Sequence, residues 1–246
     1  IVSQCKAAIP TISLSLAKEE YNAKNFVDAA KMFAEAAAVA EKYEAFDVVE
    51  EATSLIPKAY FGGANALLNN KQFAEAVELY KKVIELEPEN ANAILRLGMA
   101  LNGAGNTEEA ISTFLLAKDK GKEKDAVKQL CNIYTKQAAA SLKGKKFAEA
   151  VEAAGKIIDL NPENAQAYQI AGQASQLAGK NADAISYFEK YLELAPTAKN
   201  AGQIAYTVGA LYQSAKNNAK AKEYYQKAVT DPKYGAEAAK LLNSIK

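Results

Sequence analysis

Histidine is absent from the 246 residues, and tryptophan with it. Without histidine the chain lacks the commonest general base and the commonest transition-metal ligand. Arginine occurs once, as Arg96, so bidentate phosphate recognition has almost no material. The two cysteines, Cys5 and Cys131, stand far apart with no CxxC or Cys-His spacing, which excludes a zinc knuckle and a thioredoxin-type motif and leaves two separate thiols. Charge of one sign is missing too: 30 Lys plus Arg face 29 Asp plus Glu, so no whole-chain field draws nucleic acid. No apolar run approaches the roughly 18 residues of a membrane span. No glycine-rich phosphate loop and no nucleophile with an adjacent base appear, and the expectation is a protein without enzymatic activity, metal or cofactor. Only six prolines and 13 glycines punctuate a chain rich in Ala, Lys, Glu and Leu, which is the composition of a nearly all-helical fold.

What is present is a period. Ala29, Ala76, Ala110, Ala150, Ala184 and Ala221 recur at spacings of 47, 34, 40, 34 and 37 residues. Four places after each alanine stand Phe33, Tyr80, Phe114, Ala154, Phe188 and Tyr225; three further on stand Ala36, Val83, Ala117, Ile157, Tyr191 and Ala228. Steps of four and three place each set on one helical face, the pattern of a helix packed on a partner helix. Residues 57–90 show the unit most clearly: a helix to about Leu68, a break at Asn69-Asn70-Lys71, and a second helix from about Phe73 to Leu86 stopped by Pro88. Sixteen residues ahead of the aromatic position the first helices carry Ala17, Ala64, Gly98, Ala138, Gly172 and Gly209, and closing prolines stand at Pro88, Pro162 and Pro196.

This arrangement resembles the tetratricopeptide repeat, a helix-turn-helix unit of 34 residues. The resemblance implies an all-α, right-handed α-solenoid of stacked hairpins. It places six repeats at about 10–43, 57–90, 91–124, 131–164, 165–198 and 202–235 of one solenoid over 1–246, with a capping helix at 236–246. Residues 1–9, 44–56 and 125–130 are then helix extensions. The bulky tryptophan of the motif is replaced by Tyr60, Ile94, Tyr134 and Tyr168, and by Ser13 and Ala205 in the outermost repeats, where looser packing is expected. Ala154 stands where an aromatic belongs, so neighbours must fill that hairpin or leave a small void.

The closing proline is missing after repeats 1 and 3, where the period lengthens. A run of helix formers such as AEAAAVAEKYEAF is expected to continue without one. Asp47 with Glu50 reads as a capping box opening a helix at Val48, Asp125 as a cap near Ala126, and Pro57 as a kink. A shift of 74 residues lays 71–93 over 145–167 with 15 of 23 positions identical, so a pair of repeats was duplicated. Residues 1–10 lie over 48–57, sharing Ile9-Pro10 with Ile56-Pro57; on this reading the natural chain begins further upstream. Ile1-Val2-Ser3-Gln4 carries neither methionine nor a basic leader, so the compartment stays open, with a bacterial periplasm or envelope expected over the cytoplasm.

In the tetratricopeptide family the first helix of each repeat lines a concave groove. Carried to this sequence, that implies Leu14, Lys18, Tyr21 and Asn22 from repeat 1; Lys58, Phe61, Asn65, Leu68 and Asn69 from repeat 2; and Leu95, Arg96, Met99 and Asn102 from repeat 3. Repeat 4 offers Asn132, Thr135, Lys136, Ala139, Leu142 and Lys143. The last two add Gln166, Gln169, Gln173, Gln176, Gln203, Tyr206 and Gln213. None is acidic. The first half suits a peptide with apolar anchors and a carboxylate, and Gln166, Gln169, Gln173 and Gln176 form an amide track suited to a peptide backbone. The same amides on an exposed helix are also explained by solvation alone. A carboxylate clamp of the kind some members carry is not expected, because Arg96 stands where asparagine is wanted. The expected function is a noncatalytic scaffold, monomeric or weakly self-associating, that binds a protein or peptide and neither nucleic acid nor a membrane interior. The alternative is a structural spacer or assembly subunit of a larger, envelope-type complex.

Overall fold

The computed structural model describes residues 2–245, and of residues 2–7 the backbone alone. Ile1, the Cys5 thiol and Lys246, each part of an expectation above, lie outside what is described. The chain divides into two compact units, residues 1–129 and 130–246. Among the described residues it is helical, with no strand.

In the first unit α1 (Val2–Asn22) pairs with α2 (Phe26–Lys42), α3 (Phe46–Asn69) with α4 (Phe73–Leu86), and α5 (Ala91–Gly103) with α6 (Thr107–Ala117). Consecutive pairs also pack, α2 on α3 and α4 on α5. The long helix α7 (Glu123–Lys143) crosses from one unit into the other. The second unit continues with α8 (Phe147–Leu160), α9 (Ala165–Leu177), α10 (Asn181–Leu194), α11 (Ala201–Ser214), α12 (Asn218–Ala228) and α13 (Gly235–Ser244). There α8 to α13 each pack on the next.

The repeating alanines and aromatics build the interior. Phe33, Tyr80, Phe114, Ala154, Phe188 and Tyr225 are all buried, as are the six alanines that precede them by four. Small residues sixteen positions earlier let the paired helices close: a Cβ added to Gly98, Gly172 or Gly209 would lie 2.6–2.8 Å from the rings of Phe114, Phe188 and Tyr225. The capping helix α13 buries Ala238 and sets Leu241 and Leu242 against the last hairpin.

Helix limits depart from expectation at the lengthened repeats. The run expected to continue past repeat 1 breaks at 43–45, where Glu44 takes φ +57° and the amide of Ala45 donates back to the Ala40 carbonyl. Propensity loses there to tertiary packing, because folding back buries Val48 and Ala52 of α3 against α2. α3 starts at Phe46, ahead of Val48, and Asp47 lies in its first turn rather than at its cap, where Ala45 stands. That helix runs on through Pro57. Between α6 and α7 the break falls at Lys120 and Gly121, the glycine at φ +89°, and α7 begins at Glu123; Asp125 is again a first-turn acid and not a cap. Side-chain caps occur at Asn90, Asn164 and Asn217, each accepting from the amide three residues on.

Candidate functional site

The candidate surface is what the first helices leave exposed once the ring side chains have closed each hairpin. In the first unit Leu14 is not part of it: at 3 % exposure it belongs to the core with Ala17 and Phe33, which corrects the sequence reading. Tyr21 is half-buried and meets the rings of Phe26 and Phe33, with centroids 5.4 and 6.2 Å away. Asn22, Lys58 and Asn69 are exposed, while Lys18, Phe61, Asn65, Leu68, Leu95, Arg96, Met99 and Asn102 are half-buried. Phe61 meets Tyr80 edge to face at 5.9 Å.

Two polar members of that set already have partners. The Tyr80 hydroxyl donates to Asn65 Oδ1 at 2.8 Å, and burial pushes the Tyr80 phenol up to about 12, against the opposing pull of the Arg96 charge. Lys18 Nζ bonds Glu51 Oε1 at 2.6 Å, so an acid from α3 does reach this surface. Lys58 and Arg96 form no ion pair among the described residues. What remains of the candidate surface in the first unit is the apolar Phe61, Leu68, Leu95 and Met99, the amides Asn22, Asn69 and Asn102, and the cations Lys58 and Arg96.

In the second unit Asn132, Lys136, Ala139 and Lys143 of α7 are exposed, and Thr135 and Leu142 are half-buried. On α9 Gln166, Gln173 and Gln176 are exposed and Gln169 is half-buried; among the described residues none of these amides has a hydrogen-bond partner. Gln203 on α11 is exposed. Gln213 and Tyr206 are half-buried and already engaged: Gln213 Oε1 accepts from the Tyr225 hydroxyl at 2.7 Å, and Tyr206 stacks on Tyr234 at 5.1 Å and tilts against Tyr225 at 5.8 Å. Tyr234, not among the residues expected from the sequence, thus joins this surface. Its only local signal is an aromatic next to the glycine that opens the last helix.

A cleft of about 1090 Å³ lies elsewhere in the second unit, lined by α10, the 195–200 connection, α11 and α12. Sequence reasoning did not find it. Glu189 Oε1 accepts from Tyr212 at 2.7 Å and from Tyr224 at 2.9 Å, and those rings stack at 5.8 Å. Burial raises the Tyr212 phenol to about 12, with the Glu189 bond and charge adding to the effect. Lys227 lies 4.2 Å from the Tyr224 ring centroid and Lys190 pairs with Glu193 at 2.8 Å. Glu223, bonded by Lys227 and Lys220, is held below the usual carboxylate range. These groups hydrogen-bond and pair with one another within the second unit. Burial raises the Cys131 thiol and so works against thiolate reactivity. Among the described residues no group of three His, Cys, Asp or Glu gathers to hold a metal, and no helix is long and apolar enough to cross a membrane.

Sequence profiles of the tetratricopeptide repeat match residues 67–133, 135–199 and 202–230. A search of curated proteins found no match. Similar solved structures include the MamA protein, at 21 % identity over 75 % of this chain and 96 % of that one, with a TM-score of 0.43. YrrB, described as having an unusual peptide-binding site, is 23 % identical over 74 % of this chain and 90 % of its own, with a TM-score of 0.40. The TPR2AB domain of yeast Sti1, solved with pHSP90, is 16 % identical over 96 % of this chain and 98 % of its own, also at 0.40. At these scores the likenesses say nothing of what this chain binds.

Proposed function

This chain belongs to the tetratricopeptide repeat family, and from that premise we propose that it is a noncatalytic scaffold holding an extended peptide or protein segment on the exposed faces of its first helices. The observation that carries the reading is the row Gln166, Gln169, Gln173 and Gln176 on α9: four amides, none hydrogen-bonded among the described residues, at steps of three, four and three. Each amide offers two donors and one acceptor, the complement of an extended backbone. Buried ring contacts hold the helix that carries them: Gly172 lies on Phe188 directly beneath the track. A face set by packing loses little entropy on binding.

In the first unit Leu95, Met99 and Phe61 offer partly open apolar surface beside Lys58 and Arg96, which suits a segment with apolar anchors and an acidic group. The test is a Gln169→Ala, Gln173→Ala double variant assayed against peptides selected on the wild-type chain from a random library. Binding at least tenfold weaker with an unchanged thermal midpoint supports the proposal. Undiminished binding removes the amide track from it.

A further inference from the structure

Four positions before the small residue of the first helix stands Tyr60 in α3, Ile94 in α5, Tyr134 in α7 and Tyr168 in α9, but Ala205 in α11. Two positions after the repeating aromatic site, the second helix of the same hairpin carries Lys82, Lys156, Lys190 or Lys227 in four of the repeats. Lys82 Nζ lies over the Tyr60 ring at 5.1 Å from its centroid, and Lys156 Nζ over the Tyr134 ring at 5.6 Å. The last hairpin has no ring at 205 for its lysine to cover. Lys227 turns instead to Tyr224 of its own helix, 4.2 Å from that centroid.

The cleft of about 1090 Å³ between α10, α11 and α12 opens at this position. Ala205 and Ala201, 1 % and 7 % exposed, form its floor, and Leu192, Pro196 and Ala198 extend the apolar lining. The connection into α11 runs over 195–200, where the corresponding connections into α5 and α9 take only 87–90 and 161–164, and the longer segment supplies wall from Pro196 to Lys199. Gly202 lies close against Asp231, where an added Cβ would come within 2.6 Å of that side chain.

The polar lining is unequally committed. Glu189 accepts from two tyrosine hydroxyls, Glu193 pairs with Lys190, and Asp231 Oδ1 accepts from the amides of Lys233 and Tyr234. Lys220 and Lys227, by contrast, share one carboxylate, that of Glu223, and exposed Lys199 has no ion pair among the described residues. Ion pairs this exposed hold weakly in water, so an incoming anion can compete for the two shared lysines.

We propose that this cleft binds a small aromatic acid, its ring seated at Ala201 and Ala205 where other hairpins place a tyrosine of their own, and its anionic group among Lys199, Lys220 and Lys227. An apolar floor with a few convergent charges is the make-up of a small-molecule site, and the volume lies close to the upper end of the roughly 300–1,000 Å³ such sites span. The site is separate from the amide track on α9 and does not depend on a peptide being held there.

The probe is indole-3-propionate, titrated into the full chain. The protein has no tryptophan, so indole emission reports the probe alone. The expected result is a saturable change in that emission, with amide shifts in the labelled chain around 198–205 and 220–231. A Lys199→Gln, Lys227→Gln double variant weakens binding at least threefold. Ala205→Tyr, which supplies the ring that other hairpins carry, abolishes binding while the thermal midpoint holds or rises. Absence of saturable binding, equal affinity for the uncharged indole-3-propionamide, or undiminished binding by Ala205→Tyr overturns the proposal. A lowered midpoint in Ala205→Tyr overturns it as well, since the cleft then has no room for a ring.

Discussion

Gly172 lies against the ring of Phe188 so closely that a methyl group on its α-carbon would come within 2.6 Å of Cδ1 and Cε1. Phe188 is buried and cannot swing away. Gly172→Ala is therefore expected to destabilise the second unit. Overpacking costs about 1–3 kcal/mol, and the better helix propensity of alanine returns only about 1 kcal/mol. Ala17 and Ala64 hold the same register against Phe33 and Tyr80, so those hairpins are already spaced for the methyl. Urea unfolding of Gly172→Ala beside Ala64→Gly checks this, with both variants less stable than the wild type.

The turn inside four hairpins places a lysine in the left-handed region, Lys24, Lys71, Lys145 and Lys216 at φ +57° to +67°, where two others use Gly105 and Gly179. A side chain there costs about 1–2 kcal/mol relative to the right-handed form. Lys71→Gly is expected to stabilise by up to about 1 kcal/mol, since the glycine's larger unfolded-state entropy offsets part of the relief. Gly105→Ala is expected to destabilise although nothing lies within 4 Å of the added methyl, because the strain is in the backbone. Thermal unfolding of the two variants should move in opposite directions.

Buried phenols predict an alkaline limit. The folded values of Tyr80 and Tyr212 rise to about 12, burial being the first cause of each. An acid whose folded pKa lies above its unfolded value of about 10 keeps its full stabilising contribution below pH 10 and loses it as pH rises towards 12. The helical signal should hold to about pH 10 and fall between 10 and 12, together with phenolate absorbance. Tyr212→Phe removes one of the titrating groups and should soften the fall, while leaving Glu189 bonded by Tyr224 alone.

The ion pair of Lys18 and Glu51 is short but exposed on both sides, at 43 % and 52 % of the side-chain surface. Such a pair contributes about 0–1 kcal/mol. Glu51→Gln should leave the unfolding midpoint nearly unchanged and leave Lys18 as a third available cation beside Lys58 and Arg96.

The class of fold was legible because its code is local: an alanine, an aromatic four residues on and a small residue sixteen before it repeat along the chain. The breaks at Glu44 and Gly121 were not. One depends on α3 folding back to bury Val48 and Ala52, and the other is marked by a glycine rather than the proline that ends other repeats. On the candidate surface, the engagement of Asn65 and Gln213 was open to inference. A buried tyrosine needs a partner for its hydroxyl, and the aromatic position is tyrosine only at Tyr80 and Tyr225, the two hydroxyls that these amides accept. Glu189 is different. Its tyrosines lie 23 and 35 residues away, on helices that come together only in the folded chain.

The most direct test of the scaffold reading maps a bound peptide. A peptide selected from a random library on the full chain, titrated into the labelled protein, should shift amides of α9 around Gln169, Gln173 and Gln176 or of α5 around Arg96 and Met99. Shifts confined to the second helices, or to the cleft at Glu189 and Tyr224, would contradict the account.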